Sequence, residues 1–290
     1  MAGIDPPIRL HEDGAMFRAA LTFTAAETGF SPRLLEKDYF CTLVLAHLSS
    51  PKAIVFKGGT CLAKVHAGFY RLSEDLDFSV SVSPKTPRSV RSKQAESLRL
   101  ALQGMPDALQ TVEPLRGSNN STQYNGLVGY GSLVDGQEQS IRIELSLREP
   151  LLLPPVVGQA NTVLLDPVSG KPFVPAIAVT CMSRMEAIAE KFRAALSRRE
   201  AAIRDFFDLD YAVRKLGIQP RDPGLVTMVQ QKLRVAGNDP VNISGPRLAD
   251  LRGQIDARLK PVLRSRDFTT FDLDRAFALV SDMAKAVHDR

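Results

Sequence analysis

The stretch that decides the fold reads Phe56-Lys57-Gly58-Gly59-Thr60 and, further on, Arg71-Leu72-Ser73-Glu74-Asp75-Leu76-Asp77-Phe78. Ala53–Phe56 is apolar and predicts a short buried strand. A helix is expected over about Cys61–Phe69. Asp75–Val80 alternates polar and apolar side chains, which is typical of a half-buried strand. The segment therefore predicts a strand, a glycine turn, a helix and a second strand in close succession.

A glycine turn at the start of a helix is suited to binding phosphate. The unpaired N–H groups of a helix N-terminus attract anions, and Gly58 and Gly59 allow phosphate oxygens to approach the backbone. Thr60 adds a hydroxyl donor, and Lys57 adds a positive charge. A Gly-Gly-Thr sequence alone is more often a structural turn, so the nucleotide-binding interpretation depends on the residues that follow.

Two aspartates on the second strand are the candidate metal ligands. Asp75 and Asp77 are two residues apart, so their carboxylates project from the same face of the strand. Two carboxylates on one face repel each other unless a cation lies between them, and Mg²⁺ prefers carboxylate and phosphate oxygens. An isolated Asp-x-Asp pair is usually a solvated edge; the order and spacing of the glycines and aspartates together favour a nucleotide–metal site.

A third carboxylate is expected from a neighbouring strand. Residues 140–147 alternate clearly, and Glu144 is the only acid on the polar face. Three carboxylates can hold two metal ions, one at the attacking hydroxyl and one at the departing pyrophosphate. The ordinary alternative is a surface-facing glutamate on a strand.

The chain has 290 residues, a length that suits two domains. Residues 150–175 are rich in proline and glycine, and we expect the boundary there, between a core that carries the nucleotide–metal site together with the N-terminal helices (1–175) and a helical domain (176–290). β-type segments are expected within 110–150, including 126–133 and 140–147, and a loop is expected at 83–92. Helical patterns cover about 12–28, 32–48, 93–103, 183–199, 201–216 and 270–288, with another helix starting at Ser244.

Composition limits the classes of function. The formal net charge is +5, which favours an anionic partner over a cationic one. No apolar run is long enough for a secretory signal or a membrane span, so we expect a cytoplasmic protein with no membrane partner. Cys41, Cys61 and Cys181 lie in apolar segments and are interpreted as buried hydrophobes, rather than as thiol nucleophiles. The four histidines show no ligand spacing, which argues against a zinc site.

The decisive stretch resembles the AbiEii-type nucleotidyltransferases, which are toxins of bacterial type IV toxin–antitoxin and phage-defence systems and include the MenT toxins of mycobacteria. Glu36–Tyr39 resembles an early helix motif of that family. Ala189–Ala194 and Arg204–Leu209 resemble later helical motifs. The resemblance covers about residues 32–212 and implies a polymerase-β-like α+β fold, in which helices flank a small mixed sheet, followed by a C-terminal helical domain.

The resemblance also implies roles for individual residues. Gly58, Gly59 and Ser73 would lie beside the triphosphate, Asp75 and Asp77 would bind metal, and Lys191 and Asp208 would face the nucleotide from the helical half. From the pattern alone, Lys191 could equally be a surface lysine whose stem packs on apolar residues. Arg204 and Asp208 are four residues apart and could simply pair with each other.

The expected function is therefore that of a toxin that uses Mg²⁺ to transfer a nucleoside monophosphate from a nucleoside triphosphate to RNA. The 3′ end of tRNA is the expected acceptor, and blocked translation is the expected result. The resemblance further implies a cognate antitoxin as partner. Two alternatives stay open: the same chemistry on a protein or small-molecule hydroxyl, and a nucleotide-binding regulator without catalysis.

Overall fold

The computed structural model describes residues 8–48 and 54–289. Two N-terminal helices, α1 (Gly14–Thr28) and α2 (Pro32–Leu48), agree with the predicted ranges. The Asp13 side chain caps α1 by accepting hydrogen bonds from backbone N–H groups, and Gly29 ends it in the left-handed region with a φ of 79°. The expectation about a secretory signal concerns in part residues 1–7, which lie outside the described range.

The strands within the described residues form one seven-stranded mixed sheet, ordered β3-β4-β5-β2-β1-β7-β6. They are β1 (Val55–Lys57), β2 (Asp75–Ser79), β3 (Gln110–Ser118), β4 (Gln123–Gly131), β5 (Glu138–Ser146), β6 (Val156–Ala160) and β7 (Ile177–Cys181). The central strand β2 runs antiparallel to β1 and parallel to β5, and β7 runs parallel to β1. This mixed sheet confirms the α+β class. Ala53, the expected first residue of β1, lies outside the described residues.

The predicted alternation of the two central strands is confirmed by burial. Leu76 and Phe78 of β2 lie in the core. The apolar residues of β5 and the residue after it are fully buried beside them: Ile141, Ile143, Leu145 and Leu147. Because one face of each strand is held in the core, the polar side chains of the opposite face are held at the cleft described below.

The region between β2 and β4 differs from expectation in two places. Part of the expected loop at 83–92 is helical, because α4 (Arg88–Gln94) begins there and is followed by α5 (Glu96–Gln103). The strand β3 lies within 110–150, where β-type segments are expected, but its own bounds were not predicted. It is an edge strand in which only Leu115 is buried, so its sequence carries no alternating apolar pattern to reveal it.

After β7 the described chain is helical. Its helices are α6 (Arg184–Ser197), α7 (Ile203–Leu216), α8 (Pro223–Leu233), α9 (Gly245–Gly253), α10 (Ser265–Thr270) and α11 (Leu273–His288). Together with Leu62, Ala63 and Tyr70 they form a second apolar core. The last strand of the sheet ends at Cys181, just past the proposed division at residue 175. None of the helices in the described ranges is both long and apolar enough to cross a bilayer.

The start of α6 is capped only in part as its sequence predicts. Ser183 accepts a hydrogen bond from the backbone N–H of Glu186. The Glu186 carboxylate does not return a hydrogen bond to the N-cap residue, because it is buried and accepts bonds from the backbone N–H groups of Leu152 and Leu153. It also pairs with Lys232 at 2.7 Å. Through these hydrogen bonds and this ion pair, Glu186 connects the helical half to the segment that follows β5.

Candidate active site

The glycine turn follows β1 directly, but its residues already form the start of α3 (Gly58–Cys61), so the helix begins before the expected Cys61 and continues as a π-helical turn to Ala67. Gly58 has a φ of 77°, and a Cβ at this position would lie 2.8 Å from the Cβ of Asp77. A Cβ at Gly59 would lie 2.5 Å from a guanidinium nitrogen of Arg71 and 3.3 Å from the Ser73 hydroxyl. Both positions therefore require glycine, which brings the backbone of the turn against the predicted metal and phosphate residues.

Thr60 has a different environment from the one expected. Its side chain is buried, and its hydroxyl donates a hydrogen bond to the backbone carbonyl of Asp75. The hydroxyl therefore attaches the glycine turn to β2 and is not directed at the cleft. Thr60 therefore positions β2 relative to the glycine turn, and its hydroxyl is not available as the expected phosphate donor.

The three predicted carboxylates lie on adjacent parallel strands. Asp77 on β2 is in register with Glu144 on β5, and Asp75 is in register with Arg142. Side chains in register on neighbouring strands project from the same face. Asp75, Asp77 and Glu144 therefore line the same wall of one cleft, as the strand patterns predict.

The electrostatics of this wall suit a bound cation. Burial, and then the neighbouring charge of Glu144, raise the pKa of Asp77 to about 6. Burial also raises the pKa of Asp75 above its ordinary value. Carboxylates that resist ionisation in the absence of a counter-charge are oxygen ligands for a hard cation. The donor set therefore fits Mg²⁺, with Asp75, Asp77 and Glu144 as the residues that would hold it.

The substitution Asp77→Asn is expected to stabilise the metal-free protein at neutral pH. The folded-state pKa of Asp77, about 6, exceeds the ordinary value of 3.8. The folded protein thus binds this proton more tightly than the unfolded chain, and stability is lost as the pH rises through that interval. Asparagine is neutral and similar in shape, so it should recover on the order of 2 kcal/mol. Thermal unfolding in chelator should show the difference at about pH 7.5 and a much smaller one at about pH 4.

Magnesium provides the matched comparison for that measurement. Added Mg²⁺ should raise the unfolding midpoint of the wild type at neutral pH and leave Asp77→Asn nearly unchanged, because a neutral amide is a poor substitute for the carboxylate ligand. A variant that melts at or below the wild-type temperature in chelator at neutral pH would contradict the electrostatic account of this wall.

The opposite wall comes from the helical half. Lys191 on α6 lies 2.6 Å from a carboxylate oxygen of Asp205 and 2.8 Å from one of Asp208, both on α7. Burial alone would lower the pKa of Lys191, but these two carboxylates raise it above its ordinary value. Lys191 is therefore a charged residue in a defined position, not a surface lysine.

Asp208 is fully buried behind Lys191. It accepts two bonds from the Arg71 guanidinium, at 2.5 and 2.8 Å, and one from the Tyr70 hydroxyl at 2.7 Å. Burial would raise the pKa of Asp208, yet Arg71 and Lys191 hold it well below its usual range. Asp208 thus positions two cations that face the glycine turn. The suggested pairing with Arg204 is wrong, because these cations occupy the carboxylate.

A second buried ion pair positions Lys57. Its ammonium lies 3.2 Å from a carboxylate oxygen of Glu190 on α6, and Lys232 lies 3.4 Å from the other oxygen. Burial disfavours the charged form of Lys57, but Glu190 and Asp77 outweigh it and raise the pKa of Lys57. The same two lysines lower the pKa of Glu190 to about 2.

Together these walls enclose a cleft of about 310 Å³, large enough for part of a nucleotide. Its lining includes Lys57, Gly58, Gly59, Ser73 and Lys191 as predicted, together with the three carboxylates. Residues that sequence reasoning did not assign are Arg71, Arg142, Glu190, Arg204 and Asp205, and two basic residues of the helical half, Arg193 and Arg198, also line the cleft. Arg71 and Arg204 lie in motifs quoted above, so their position beside assigned residues was the available signal.

The fold and the cleft define a nucleotidyltransferase. The chain belongs to the AbiEii family of nucleotidyl transferase toxins, from type IV toxin–antitoxin systems, whose family model matches residues 43–282. No curated protein sequence matches the chain significantly.

The early helix motif at 36–39 has a structural role, because Glu36 and Asp38 are both buried. Glu36 is hydrogen-bonded to the segment around Ser132, and Asp38 to the segment around Thr162.

Two solved structures from Helicobacter pylori support the fold assignment, and a third structure is similar at a lower score. A candidate nucleotidyltransferase from Helicobacter pylori is 16% identical, with 90% of this chain and 96% of that chain covered at a TM-score of 0.51. JHP933 from Helicobacter pylori is 17% identical, with coverage of 90% and 94% and the same TM-score of 0.51. MenT4, a nucleotidyltransferase toxin of Mycobacterium tuberculosis, is 18% identical, with coverage of 93% and 98% and a TM-score of 0.44.

Proposed function

We propose that this nucleotidyltransferase uses Mg²⁺ to transfer a nucleoside monophosphate from a nucleoside triphosphate to the 3′ end of tRNA in the cytoplasm, which blocks translation. The observation that carries the proposal is the division of charge across the cleft. Carboxylates of the sheet face cations of the helices over a turn whose glycines leave its backbone open. A triphosphate carrying its metal has complementary charges on its two sides.

The carboxylates, the glycine turn and the lysines of the cleft have different roles in the proposed reaction. Asp75, Asp77 and Glu144 would hold the metal, which when bound supplies charge neutralisation and activation of the acceptor hydroxyl. The backbone of the glycine turn and Ser73 would bind phosphate oxygens. Lys57 and Lys191, held by Glu190 and Asp208, would stabilise the charge that develops on the departing pyrophosphate.

The helical side of the cleft supports an acceptor with a phosphate backbone. Arg193, Arg198 and Arg204 line this side. Arg193 donates to the side chain of Asn238 at 3.3 Å, and its Nε atom is buried without a hydrogen-bond partner among the described residues. A positioned guanidinium with a spare donor is suited to a phosphate oxygen. Exposed Arg198 and Arg199 would extend the basic surface away from the cleft.

Transfer to tRNA is expected to weaken steeply with increasing salt, because phosphate contacts release counterions. Purified enzyme, Mg²⁺ and each labelled nucleoside triphosphate would be incubated with total RNA, with lysate protein and with small-molecule extract. We expect label at tRNA 3′ ends. Label on protein or small molecules with every tRNA untouched would rule out the acceptor, and binding without transfer to any acceptor would favour a regulator.

Arg198→Ala tests the acceptor surface without altering the carboxylate wall. Its side chain is 56% exposed, so its removal should leave the fold intact. The slope of the logarithm of transfer to tRNA against the logarithm of salt concentration should become shallower by about one. The KM for the triphosphate should change little. Arg18→Ala on α1, which is exposed and does not line the cleft, is the matched control. Equal slopes in the two variants would exclude Arg198 from the RNA contact.

The substitution Ser73→Asp is expected to inactivate the enzyme. Ser73 lines the cleft beside Gly59, and a carboxylate there would repel the triphosphate. Ser73→Ala should retain substantial activity, and Ser89→Asp, on the exposed face of α4, should resemble the wild type. The KM for the triphosphate is the measurement. A fully active Ser73→Asp enzyme would place the phosphates elsewhere.

A cognate antitoxin is the expected partner, because the family belongs to type IV toxin–antitoxin systems. Growth arrest on expression of the wild type, and normal growth on expression of Asp75→Ala, would connect the toxin activity to the cleft.

A further inference from the structure

Two of the buried cysteines and a histidine meet outside the cleft. Cys61, His66 and Cys181 place one ligand atom each within 4.8 Å of one another. The argument from histidine spacing did not reveal this cluster. It failed because Cys181 on β7 is distant in sequence from α3 and is brought there by the pairing of β7 with β1, where Cys181 is in register with Phe56.

An unusual helical turn brings the histidine to the first cysteine. The helix that begins with α3 continues as a π-helical turn over Leu62–Ala67. Residues five apart point in different directions on an α-helix, whereas the wider π turn, with its i to i+5 hydrogen bonds, brings them to nearly the same side. Cys61 and His66 are five apart. The π turn costs regular hydrogen bonding, and such turns are frequently found at functional sites.

The histidine ring is already oriented. The Nε2 atom of His66 lies 2.9 Å from the backbone carbonyl of Met182. A carbonyl can only accept, so this contact places the proton on Nε2 and leaves the lone pair of Nδ1 free. Histidines that bind metals commonly have one ring nitrogen held by a carbonyl in this way, which sets the tautomer and the direction of the other nitrogen.

Gly158 on β6 leaves space beside Cys181, the third residue of the cluster. A Cβ at Gly158 on β6 would lie 2.9 Å from the sulfur atom of Cys181 and would collide with the side chain of Val65. Gly158 therefore allows β6 to cover the cluster closely. Cys61 and Cys181 are both fully buried, and His66 is half-buried, so the cluster can be reached from the histidine side.

We propose that Cys61, Cys181 and Nδ1 of His66 bind one Zn²⁺ ion, with the fourth position open on the side of His66. Two thiolates and an imidazole are the donors that zinc prefers, in contrast to the all-oxygen donor set of the catalytic wall. The two thiol protons pass to solvent as the ion binds. The ion would connect α3, directly after the glycine turn, to β7, directly before α6, and would so stabilise the junction of the two walls of the cleft.

Zinc content and spectroscopy test the site without using activity. Reduced, chelator-treated protein titrated with Zn²⁺ against a chromophoric chelator should bind about one equivalent. Substituted Co²⁺ should give thiolate-to-metal charge-transfer absorption. Cys181→Ala and His66→Gln should lose the bound equivalent, and Cys181→Ala should weaken the absorption. Cys41→Ala and His47→Gln are matched controls, because Cys41 is a buried free thiol and His47 bonds a backbone carbonyl elsewhere.

A second measurement does not depend on the variants folding. In the wild type, Zn²⁺ should protect Cys61 and Cys181 from alkylation and leave the rate for Cys41 unchanged. The Asp75→Ala, Asp77→Ala double variant should keep its zinc, which separates this site from the catalytic metal. Zinc binding that survives in Cys181→Ala, equal alkylation of all three thiols with and without zinc, or a Cys61–Cys181 disulfide in place of bound metal would each overturn the proposal.

Discussion

Replacing Asp75 or Asp77 with alanine is expected to abolish nucleotide transfer while the chain remains folded. Both side chains lie on the cleft face of β2, and the strand is held from its other face by Leu76 and Phe78. Removal of either carboxylate would take away a proposed ligand of the metal, whose charge stabilisation in such reactions amounts to several kcal/mol. A loss of about 4 kcal/mol corresponds to roughly a thousandfold in rate. Single-turnover transfer at saturating triphosphate is the measurement.

Glu113→Gln is the control for these variants, because Glu113 is an exposed acid on β3 of the same sheet. It should transfer nucleotide at the wild-type rate. Circular dichroism and thermal unfolding would establish that each aspartate variant is folded. Residual activity within about tenfold of the wild type in both aspartate variants, a loss of only ~1.4 kcal/mol, would contradict the assignment of the carboxylate wall.

The carboxylate wall could be predicted because its signals are local. The period of two in β2 and β5 assigns Asp75, Asp77 and Glu144 to the polar faces of their strands. A polar position on a half-buried strand can be read from a few consecutive residues. The lateral register of the strands was not available, and it is this register that puts Glu144 beside Asp77 and Arg142 beside Asp75.

The helical wall could be predicted only in part, because its contacts are distant in sequence. Arg71 and Asp208 are 137 positions apart, and Lys57 and Glu190 are 133 apart. Nothing in the local pattern of α7 indicates that Asp208 accepts bonds from an arginine near β2 and not from Arg204 one turn earlier. The three-dimensional path of the chain determines which arginine pairs with Asp208. The same path brings Cys61 and Cys181 together.

The burial of Asp208 predicts a large effect on both stability and transfer. Asp208→Asn replaces the carboxylate that pairs with Arg71 and Lys191 by a neutral amide. The buried Arg71 guanidinium is then left without its counter-charge. Breaking a buried pair by removing one partner costs about 3–5 kcal/mol. Lys191 would keep Asp205 but lose its second anchor. We therefore expect a lower free energy of unfolding and slower transfer, and a smaller stability loss in Lys191→Ala.

The same helix offers a matched control that separates stability from catalysis. Asp210 on α7 is also buried and pairs with two arginines, Arg214 and Arg275, but neither arginine lines the cleft, whereas both cations held by Asp208 do. Asp210→Asn should lower stability and leave the transfer rate per folded molecule unchanged.

The pKa of Asp208 is depressed in the folded state, so the contribution of this carboxylate to stability is present above the unfolded pKa, about 3.9. That contribution is lost as the pH falls. The stability gap between wild type and Asp208→Asn should accordingly narrow in acid. Equal losses of transfer in the two variants would show that Asp208 acts through stability alone, whereas loss in Asp208→Asn only would assign it the positioning of Lys191 and Arg71.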